Sequence, residues 1–446
     1  MKTLIIKDNS FNNINEFDSI KRTYNILVNK SLNQLEKEGV FVFPDAVRDS
    51  SDLDDNQIIL QKYDGIIRTG NVMGFLGFKD ERLIISSRFS EDNDYFFQYL
   101  LNKVFNIPNI INFESEAESN SSYLDLLVYM FPFFLSKAVK KGIFKTYVKE
   151  EMNDSNIKGT IDIARHIKEN IPFRGTISYS KKEYSYDNYV TELIRHTIEF
   201  IKLKPNGHAV LDQVKEEVKI INDNTRKYSS FDKRKIINYN QKHLINHAYY
   251  HEYILLQRIC LYILLNQKHQ IGIGNINISG IIFDGAWLWE EYVNTLLKDS
   301  FHHPQNKANK GHQYLFSDNR TGKIYPDFIG KDESNQLVAD AKYKPEKNIG
   351  KQNKDYFQLL SYMFRFDAKT GLFIYPESEN CQAKELFLNR GNSYNKNVEK
   401  RNDIKIIEYG FYIPECDDYQ TFINTIKQIE EKTKKDIAKL ETEVKA

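Results

Sequence analysis

Three charged residues interrupt two apolar runs between Tyr325 and Lys344. The run KIYPDFIG carries Asp327, and the run LVADAKYK carries Asp340 and Lys342. If the second run is a β-strand, side chains two residues apart share a face, so Asp340 and Lys342 project together. The intervening KDESNQ is typical of a hairpin turn, and antiparallel pairing would bring Asp327 close to Asp340. The spacing therefore predicts two carboxylates and one ammonium at one point, exposed at a strand edge.

These residue types have a definite chemistry when they converge. Two carboxylates at one point repel each other unless a cation lies between them. Oxygen ligands without Cys or His suit Mg²⁺, with Mn²⁺ as the alternative ion. Such a metal would polarise a phosphodiester, and the lysine would position the nucleophile or stabilise charge on the phosphate. The set therefore predicts hydrolysis of a nucleic-acid backbone. The alternative is that both aspartates are ordinary strand residues with Lys342 as their surface ion-pair partner.

One helix precedes the two runs and another follows them. In AWLWEEYVNTLL, Glu290 falls in line with apolar residues three and seven positions on, which places it at the inward edge of the helix. We therefore predict Glu290 as a third carboxylate of the site and Glu291 as a solvated charge. In DYFQLLSYMFRF, Gln358 and Tyr362 share one stripe. They would contact DNA, brace Lys342 or cap the edge of the core.

Basic and histidine side chains flank the two runs. Lys344 is the first of several closely spaced lysines after LVADAKYK. These lysines either contact the DNA backbone near the cut or form an ordinary basic loop. His302 and His303 lie ahead of the first run in a loop rich in lysine and asparagine. We expect their side chains to be solvated.

The surrounding sequence predicts several domains, because 446 residues exceed one ordinary core. Ile58 to Phe89 has short strand patterns punctuated by glycine, whereas the sequence after Tyr95 has helical periodicity. From Gly285 helices and strands alternate, which indicates an α/β domain with a mixed sheet. We predict a multidomain α+β protein with a β-rich region at 1–120, a mainly helical region at 121–275, and an α/β domain at 276–446. An amphipathic helix that packs on its own domain is expected after Asp417.

Composition excludes several classes of protein. Lys and Arg total 62 against 61 acidic residues, a net charge of +1, so any DNA-binding surface must be local or supplied by a partner. Three cysteines argue against a disulfide framework and indicate a reducing cytoplasm. The longest apolar run, LLVYMFPFFL, is half the length of a membrane span and contains Pro132, which favours a buried helix and no membrane segment.

The order of these motifs resembles the core of the PD-(D/E)xK nucleases: a glutamate in a helix, then PD, D-x-K and Q-x-x-x-Y. The matching positions are Glu290, Asp327, Asp340 and Lys342. Upstream, KGIFKTYVKEEMNDSNIKGTIDI, SYDNYVTELIRHTIEFI and FDGAWLWEEYV resemble McrC, the nuclease subunit of McrBC-type restriction systems. The likeness to LlaJI-type restriction endonuclease subunits is closer still, and it covers most of the chain from about Leu124 to Pro376.

The resemblance implies a PD-(D/E)xK fold for residues 276–446 and cleavage of double-stranded DNA with Mg²⁺ in defence against foreign DNA. It also implies a separate AAA+ NTPase partner, GTP-driven in the McrBC case and possessing the P-loop. This sequence has no G-x-x-x-x-G-K-[ST] motif, in agreement with that division. We predict that the N-terminal region, above all Ile58 to Phe89, engages the partner. A stand-alone repair or recombination nuclease and a non-catalytic accessory protein remain the alternatives.

Overall fold

A computed structural model of the chain divides into two compact units. One unit combines Met1–Glu118 with Ile273–Ala446, and the other is Ser119–Gly272. The structure describes residues 2–37, 40–43, 58–78, 80–90, 94–105, 121–204, 206–246, 248–265, 279–304, 311–318, 321–334, 336–349, 353–391 and 398–443.

The N-terminal part of the first unit is rich in short strands, as predicted. The glycine-punctuated stretch from Ile58 to Phe89 forms its last four strands. A small sheet has the strand order β2-β5-β4. The elements are β1 (Lys2–Lys7), β2 (Phe11–Asn13), α1 (Lys21–Leu27), α2 (Leu32–Lys37), β3 (Val40–Phe43), β4 (Leu60–Tyr63), β5 (Ile66–Thr69), β6 (Val72–Phe78), β7 (Glu81–Ser86) and α3 (Tyr95–Phe105).

The second unit is mainly helical and includes one antiparallel sheet with the strand order β8-β10-β9. The apolar run LLVYMFPFFL lies in a helix and is largely buried, as predicted. In the described parts of the chain, no helix is both long and apolar enough to cross a membrane. The elements are α4 (Ser121–Val139), β8 (Thr146–Asp154), β9 (Thr160–Ile161), α5 (Ile163–Glu169), β10 (Ile177–Ser185), α6 (Tyr189–Lys202), α7 (Gly207–Asp212), α8 (Lys215–Asn224), α9 (Lys233–Lys242) and α10 (His251–Leu265).

The C-terminal part of the first unit alternates helices and strands. Its long last helix packs on α3 of the same unit, in agreement with the predicted amphipathic helix. The elements are β11 (Ser279–Asp284), α11 (Gly285–Leu297), β12 (Phe301–His302), β13 (Gln313–Tyr314), β14 (Lys323–Ile324), β15 (Phe328–Gly330), β16 (Leu337–Ala341), α12 (Lys354–Phe366), β17 (Thr370–Glu377), β18 (Lys384–Arg390), β19 (Glu399–Tyr412) and α13 (Tyr419–Glu443).

A five-stranded sheet combines strands from the N-terminal and C-terminal parts of the first unit. Its strand order is β1-β7-β6-β11-β3, and β11 pairs antiparallel to β6 and parallel to β3. Gly74 in β6 permits this close pairing, because a Cβ atom there would lie 2.1 Å from the carbonyl oxygen of Ile281. The alternation of helices and strands predicts a separate domain at residues 276–446, whereas β11 from that region pairs within the N-terminal sheet. Pairing between such distant segments leaves no local signal in the sequence.

A six-stranded mixed sheet forms the body of the C-terminal region, with the order β12-β15-β16-β17-β19-β18. The strands β16, β17 and β19 run parallel, and α12 is the crossover between β16 and β17. Apolar residues of α12 and the sheet share one core, which includes Val338, Leu359, Met363 and Phe373. The multidomain α+β architecture and the mixed sheet are thereby confirmed.

The run KIYPDFIG is divided in a way that its pattern does not show. It forms the two short strands β14 and β15, with Tyr325, Pro326 and Asp327 between them. Proline has no backbone N–H and is poorly suited to the interior of a sheet. Asp327 therefore lies just before β15 rather than within a strand.

Candidate active site

Asp340 in β16 and Lys342, which directly follows this strand, lie on the same side, as predicted. Lys342 Nζ lies 2.6 Å from Asp340 Oδ2, which makes an ion pair. β16 lies between β15 and β17 and is therefore an interior strand, and only 2% of the Asp340 side chain is exposed. The expectation of an exposed strand edge is therefore wrong.

Asp327 meets these residues through the β15–β16 hairpin. Phe328 pairs with Ala339 in the antiparallel register, and the next step of that register places Asp327 opposite Asp340. Asp327 Oδ2 accepts a hydrogen bond of 2.9 Å from the backbone N–H of Ala341. The hairpin that the KDESNQ turn predicts is present, and it brings the two aspartates together.

Glu290 approaches the same point from α11. The side chain of Asp284 accepts a hydrogen bond from the N–H of Ala286 and caps the start of this helix. The indole N–H of Trp289 donates to the carbonyl of Ile374 at 3.2 Å, which fixes α11 on β17. Glu290 is 6% exposed and faces inward, as predicted. Glu291 was expected in solvent, but only 18% of its side chain is exposed.

The carboxylates interact strongly through their charges. Burial raises the pKa of Asp327 well above its usual value, and the charges of Glu290 and Asp340 raise it further. Lys342 and the N–H of Ala341 oppose this shift but do not cancel it. Three carboxylates and one ammonium leave an excess of negative charge at the site. A proton or a metal cation would relieve the repulsion.

Lys342 is held in place from α12. Its Nζ donates a hydrogen bond of 3.0 Å to Gln358 Oε1, and Gln358 Nε2 donates to the hydroxyl of Tyr362 at 2.8 Å. The Tyr362 hydroxyl donates in turn to the carbonyl of Tyr325 at 3.0 Å. Among the roles considered for Gln358 and Tyr362, the contacts show bracing of Lys342, and Tyr362 also lies in the core between α12 and the sheet. Burial would lower the pKa of Lys342, but Asp340 and Asp327 outweigh it and raise that pKa, which keeps the lysine charged.

Lys344 does not point into free solvent. Its Nζ lies 2.5 Å from Asp355 Oδ2, and the other oxygen of Asp355 lies 3.8 Å from Lys342 Nζ. Lys347 and Lys354 are exposed, and Lys351 lies outside the described residues. Lys344 is thus tied to the site through Asp355, and its contact with DNA remains a prediction.

His303 belongs to the site, although its sequence context suggested a solvated loop. Only 4% of its side chain is exposed, whereas His302 is exposed as expected. His303 Nδ1 lies 2.9 Å from the carbonyl oxygen of Asp327, and Nε2 lies 3.9 Å from Glu290 Oε1. Burial lowers the pKa of His303, but the interactions with Glu291 and Glu290 outweigh it and raise that pKa. No spacing rule connects His303 to α11, so the sequence does not predict that this histidine lies in the site.

The N-terminal sheet reaches the site through Tyr343, which follows Lys342. The Tyr343 hydroxyl lies 2.8 Å from the hydroxyl of Ser87, just after β7. Its ring packs so close to α11 that a Cβ atom on Gly285 would lie 2.8 Å from it. Arg88 donates a hydrogen bond of 3.1 Å to the Tyr343 carbonyl and forms an ion pair of 3.2 Å with the buried Asp8. The alternation along β16 predicts that Tyr343 turns away from Lys342, but not which element it meets.

The donor set is compatible with a divalent cation. Glu290, Asp327 and Asp340 offer carboxylate oxygens, the ligands that Mg²⁺ prefers, with no thiolate among them. Asp340 Oδ2 is buried and contacts Lys342 Nζ at 2.6 Å. Within the described ranges, no three His, Cys, Asp or Glu side chains are already close enough together to enclose a metal ion. The chemistry of the residues fits the ion, and the metal remains a proposal.

Comparison with known families identifies the chain. Residues 67–376 match the family described as "McrBC 5-methylcytosine restriction system component". The chain belongs to the McrBC family. This membership confirms the resemblance to McrC-type subunits, and the closer likeness to LlaJI-type subunits stays a prediction.

Two solved structures are similar to parts or most of the chain at low sequence identity. A refined half-complex from a tetradecameric assembly of Thermococcus gammatolerans McrB AAA+ hexamers with bound McrC is 15% identical, with a TM-score of 0.44. The match covers 96% of the present chain and 100% of the Thermococcus chain. A chain of the Thermococcus gammatolerans McrBC complex is 13% identical, with a TM-score of 0.30. This second match covers 66% of the present chain and 87% of the Thermococcus chain. No curated protein matches the sequence.

Proposed function

We propose that this chain is the DNA-cleaving subunit of an NTP-dependent restriction system and that its C-terminal region is a PD-(D/E)xK nuclease domain. The observation that carries the proposal is the convergence of Asp327, Asp340 and Lys342, with Glu290 facing them from α11. Double-stranded DNA is the proposed substrate, and the cytoplasm is the proposed location. The three cysteines are free, which suits that compartment.

Each residue of the set has a separate task in the proposed reaction. Glu290, Asp327 and Asp340 would hold Mg²⁺, with Mn²⁺ as the alternative. The bound ion would supply Lewis-acid polarisation of the phosphodiester. Lys342, kept charged by the aspartates, would stabilise the negative charge that develops on the phosphate. Gln358 and Tyr362 would hold the lysine in position through their hydrogen bonds.

An AAA+ NTPase is the proposed partner. Support comes from the family membership, from the lack of a P-loop motif in the sequence, and from a net charge of only +1. Because phosphate neutralisation supplies most non-specific DNA affinity, a nearly neutral chain would depend on a partner for part of it. In the N-terminal region, β6 and β7 are largely enclosed in the five-stranded sheet. The small β2-β5-β4 sheet instead exposes the apolar side chains of Phe11, Tyr63 and Ile66, and we propose these for the partner contact.

The test is a cleavage assay with one component omitted at a time. The components are the purified chain, the neighbouring AAA+ protein, plasmid DNA, Mg²⁺, and GTP or ATP. We expect efficient cutting only with the full set, and none when Lys342→Met replaces the wild-type chain. Robust cutting by the chain alone, without nucleotide, would favour a stand-alone nuclease. Stimulated NTP hydrolysis without any cutting would favour a non-catalytic accessory protein.

A further inference from the structure

One face of the β8–β10 ribbon in the second unit presents tyrosines and lysines side by side. Tyr147 lies opposite Tyr184 and Lys149 lies opposite Lys182 in the antiparallel register. Directly opposite residues point to the same side of a ribbon, as do residues two apart on one strand. Lys145 Nζ lies 4.8 Å from the ring centre of Tyr184 and 4.6 Å from that of Tyr186. We call these six residues the tyrosine–lysine face: Lys145, Tyr147, Lys149, Lys182, Tyr184 and Tyr186.

The positive charge of this face is not neutralised locally. Like charges directly opposite each other destabilise a pair of strands, yet Lys149 and Lys182 occupy such positions. Among the residues that the structure describes, neither lysine forms an ion pair, and both are exposed. The next acid along this face, Glu151, lies 3.0 Å from Arg165 and is already paired. The face therefore suits an anionic ligand.

The aromatic rings of the face are open to solvent. Tyr147 is 71% exposed, Tyr184 is 46% exposed and Tyr186 is 41% exposed. The centres of the Tyr147 and Tyr184 rings lie 5.0 Å apart, and the ring planes are tilted by 44° to each other. Exposed aromatic rings that lie together on one face are typical of a binding surface. Exposed planar rings suit a ligand that has planar groups of its own.

We propose that the tyrosine–lysine face binds single-stranded DNA, with its lysines on the phosphates and its tyrosines stacked on unpaired bases. Proteins that bind single strands combine these two features, because every base offers an aromatic face and every linkage a negative charge. A duplex hides the faces of its bases inside the stack and would engage only the lysines. The inference rests on the proposed function, in which a DNA-cutting subunit would use a second contact to retain a strand.

The experiment measures binding apart from cleavage. The full-length chain is titrated, without Mg²⁺, into a labelled single-stranded oligonucleotide and into a duplex of the same length, at several salt concentrations. Lys149→Gln with Lys182→Gln should reduce the slope of log affinity against log salt by about 1.4 for the single strand, at about 0.7 per phosphate contact. Tyr147→Leu should weaken single-strand binding by roughly five- to 150-fold without changing the slope.

The matched control makes the same charge change elsewhere in the same unit. Lys215→Gln with Lys219→Gln removes two exposed lysines from α8 and should leave binding unchanged. The inference would be overturned if both double variants lost DNA affinity equally or if neither lost any. It would also be overturned if Tyr147→Leu weakened duplex binding as strongly as single-strand binding. Loss of AAA+ partner binding with intact DNA binding would also overturn it and assign the face to a protein. Cleavage plays no part in the readout, so failure of the proposed nuclease activity would be recognised separately.

Discussion

The guanidinium of Arg88 donates a hydrogen bond of 3.1 Å to the backbone carbonyl of Tyr343 and lies 4.7 Å from the centre of its ring. Tyr343 directly follows Lys342, and Arg88 follows the strand β7 of the N-terminal sheet. Arg88 also donates from its backbone N–H to Asp8 at 2.6 Å. The segment that directly follows β16 and contains the proposed catalytic lysine is thus held by the N-terminal sheet.

Arg88→Ala should lower kcat by roughly ten- to 100-fold with little change in KM. The reason is that a hydrogen bond to a charged group contributes about 1.5–3 kcal/mol, and its loss would free the end of β16. Arg88→Lys should recover only part of the rate, because an ammonium keeps the charge without the planar fork. The control is Arg22→Ala, which removes an ion pair of 3.0 Å with Glu81 on the same sheet. Equal kcat losses in Arg88→Ala and Arg22→Ala would show that the effect is only one of stability.

Asp327→Asn should stabilise the metal-free protein by on the order of 1 kcal/mol, the scale of a partly screened charge repulsion. The pKa of Asp327 is raised in the folded state by burial and by the charges of Glu290 and Asp340. The folded chain therefore keeps the Asp327 proton to higher pH than the unfolded chain does. The free energy of unfolding falls as pH rises from the usual aspartate pKa to the raised pKa of the folded state. The variant should lack that decline and should also lose any stabilisation by Mg²⁺. Thermal melts with and without Mg²⁺ at several pH values measure both effects, and a less stable metal-free variant would contradict the charge argument.

Lys342→Met should abolish turnover and keep metal binding, whereas Asp340→Asn should lose both. Only the carboxylates are proposed ligands, and losing the Lewis acid would remove several kcal/mol of stabilisation, or orders of magnitude in rate. Calorimetric titration with Mg²⁺ or Mn²⁺ separates the two variants. Lys344→Met is the matched control, because Lys344 pairs with Asp355 rather than with the three carboxylates. If metal binding fell equally in Lys342→Met and Asp340→Asn, the proposed roles would be wrong.

Asp8→Asn should change the pH dependence of stability. Burial raises the pKa of Asp8 from 3.8 to about 6, although Arg88 opposes the shift. The folded state binds this proton more tightly than the unfolded state, so the stabilising effect of protonation is present at low pH and disappears as pH rises to about 6. Between about pH 4 and about pH 7, wild type should lose up to about 3 kcal/mol relative to the variant. Denaturant unfolding of both proteins at matched pH values tests this. If the free energy of unfolding of wild type and variant changed equally with pH, the expected titration of Asp8 would be contradicted.

Local sequence patterns were sufficient to find the catalytic candidates. The alternation along LVADAKYK requires Asp340 and Lys342 to share a face, and a turn-forming segment between two apolar runs brings Asp327 to the same place. Helical periodicity likewise placed Glu290 inward, and Glu290 is buried. The inferences about Lys342 and Glu290 depend on backbone geometry that repeats along the chain, and the inference about Asp327 depends on a local turn. The sequence displays both kinds of signal directly.

The tertiary structure alone decided the environment of those residues. Whether β16 lies at an edge or in the interior depends on which strands pair beside it, so the burial of Asp340 could not be predicted locally. His303 enters the site and Arg88 reaches Tyr343 because segments far apart in the chain pack together, with no periodic relation between their positions. The charge interactions that raise the pKa of Asp327 also depend on distances across elements. Sequence periodicity determines which way a side chain points, whereas long-range packing determines what it meets.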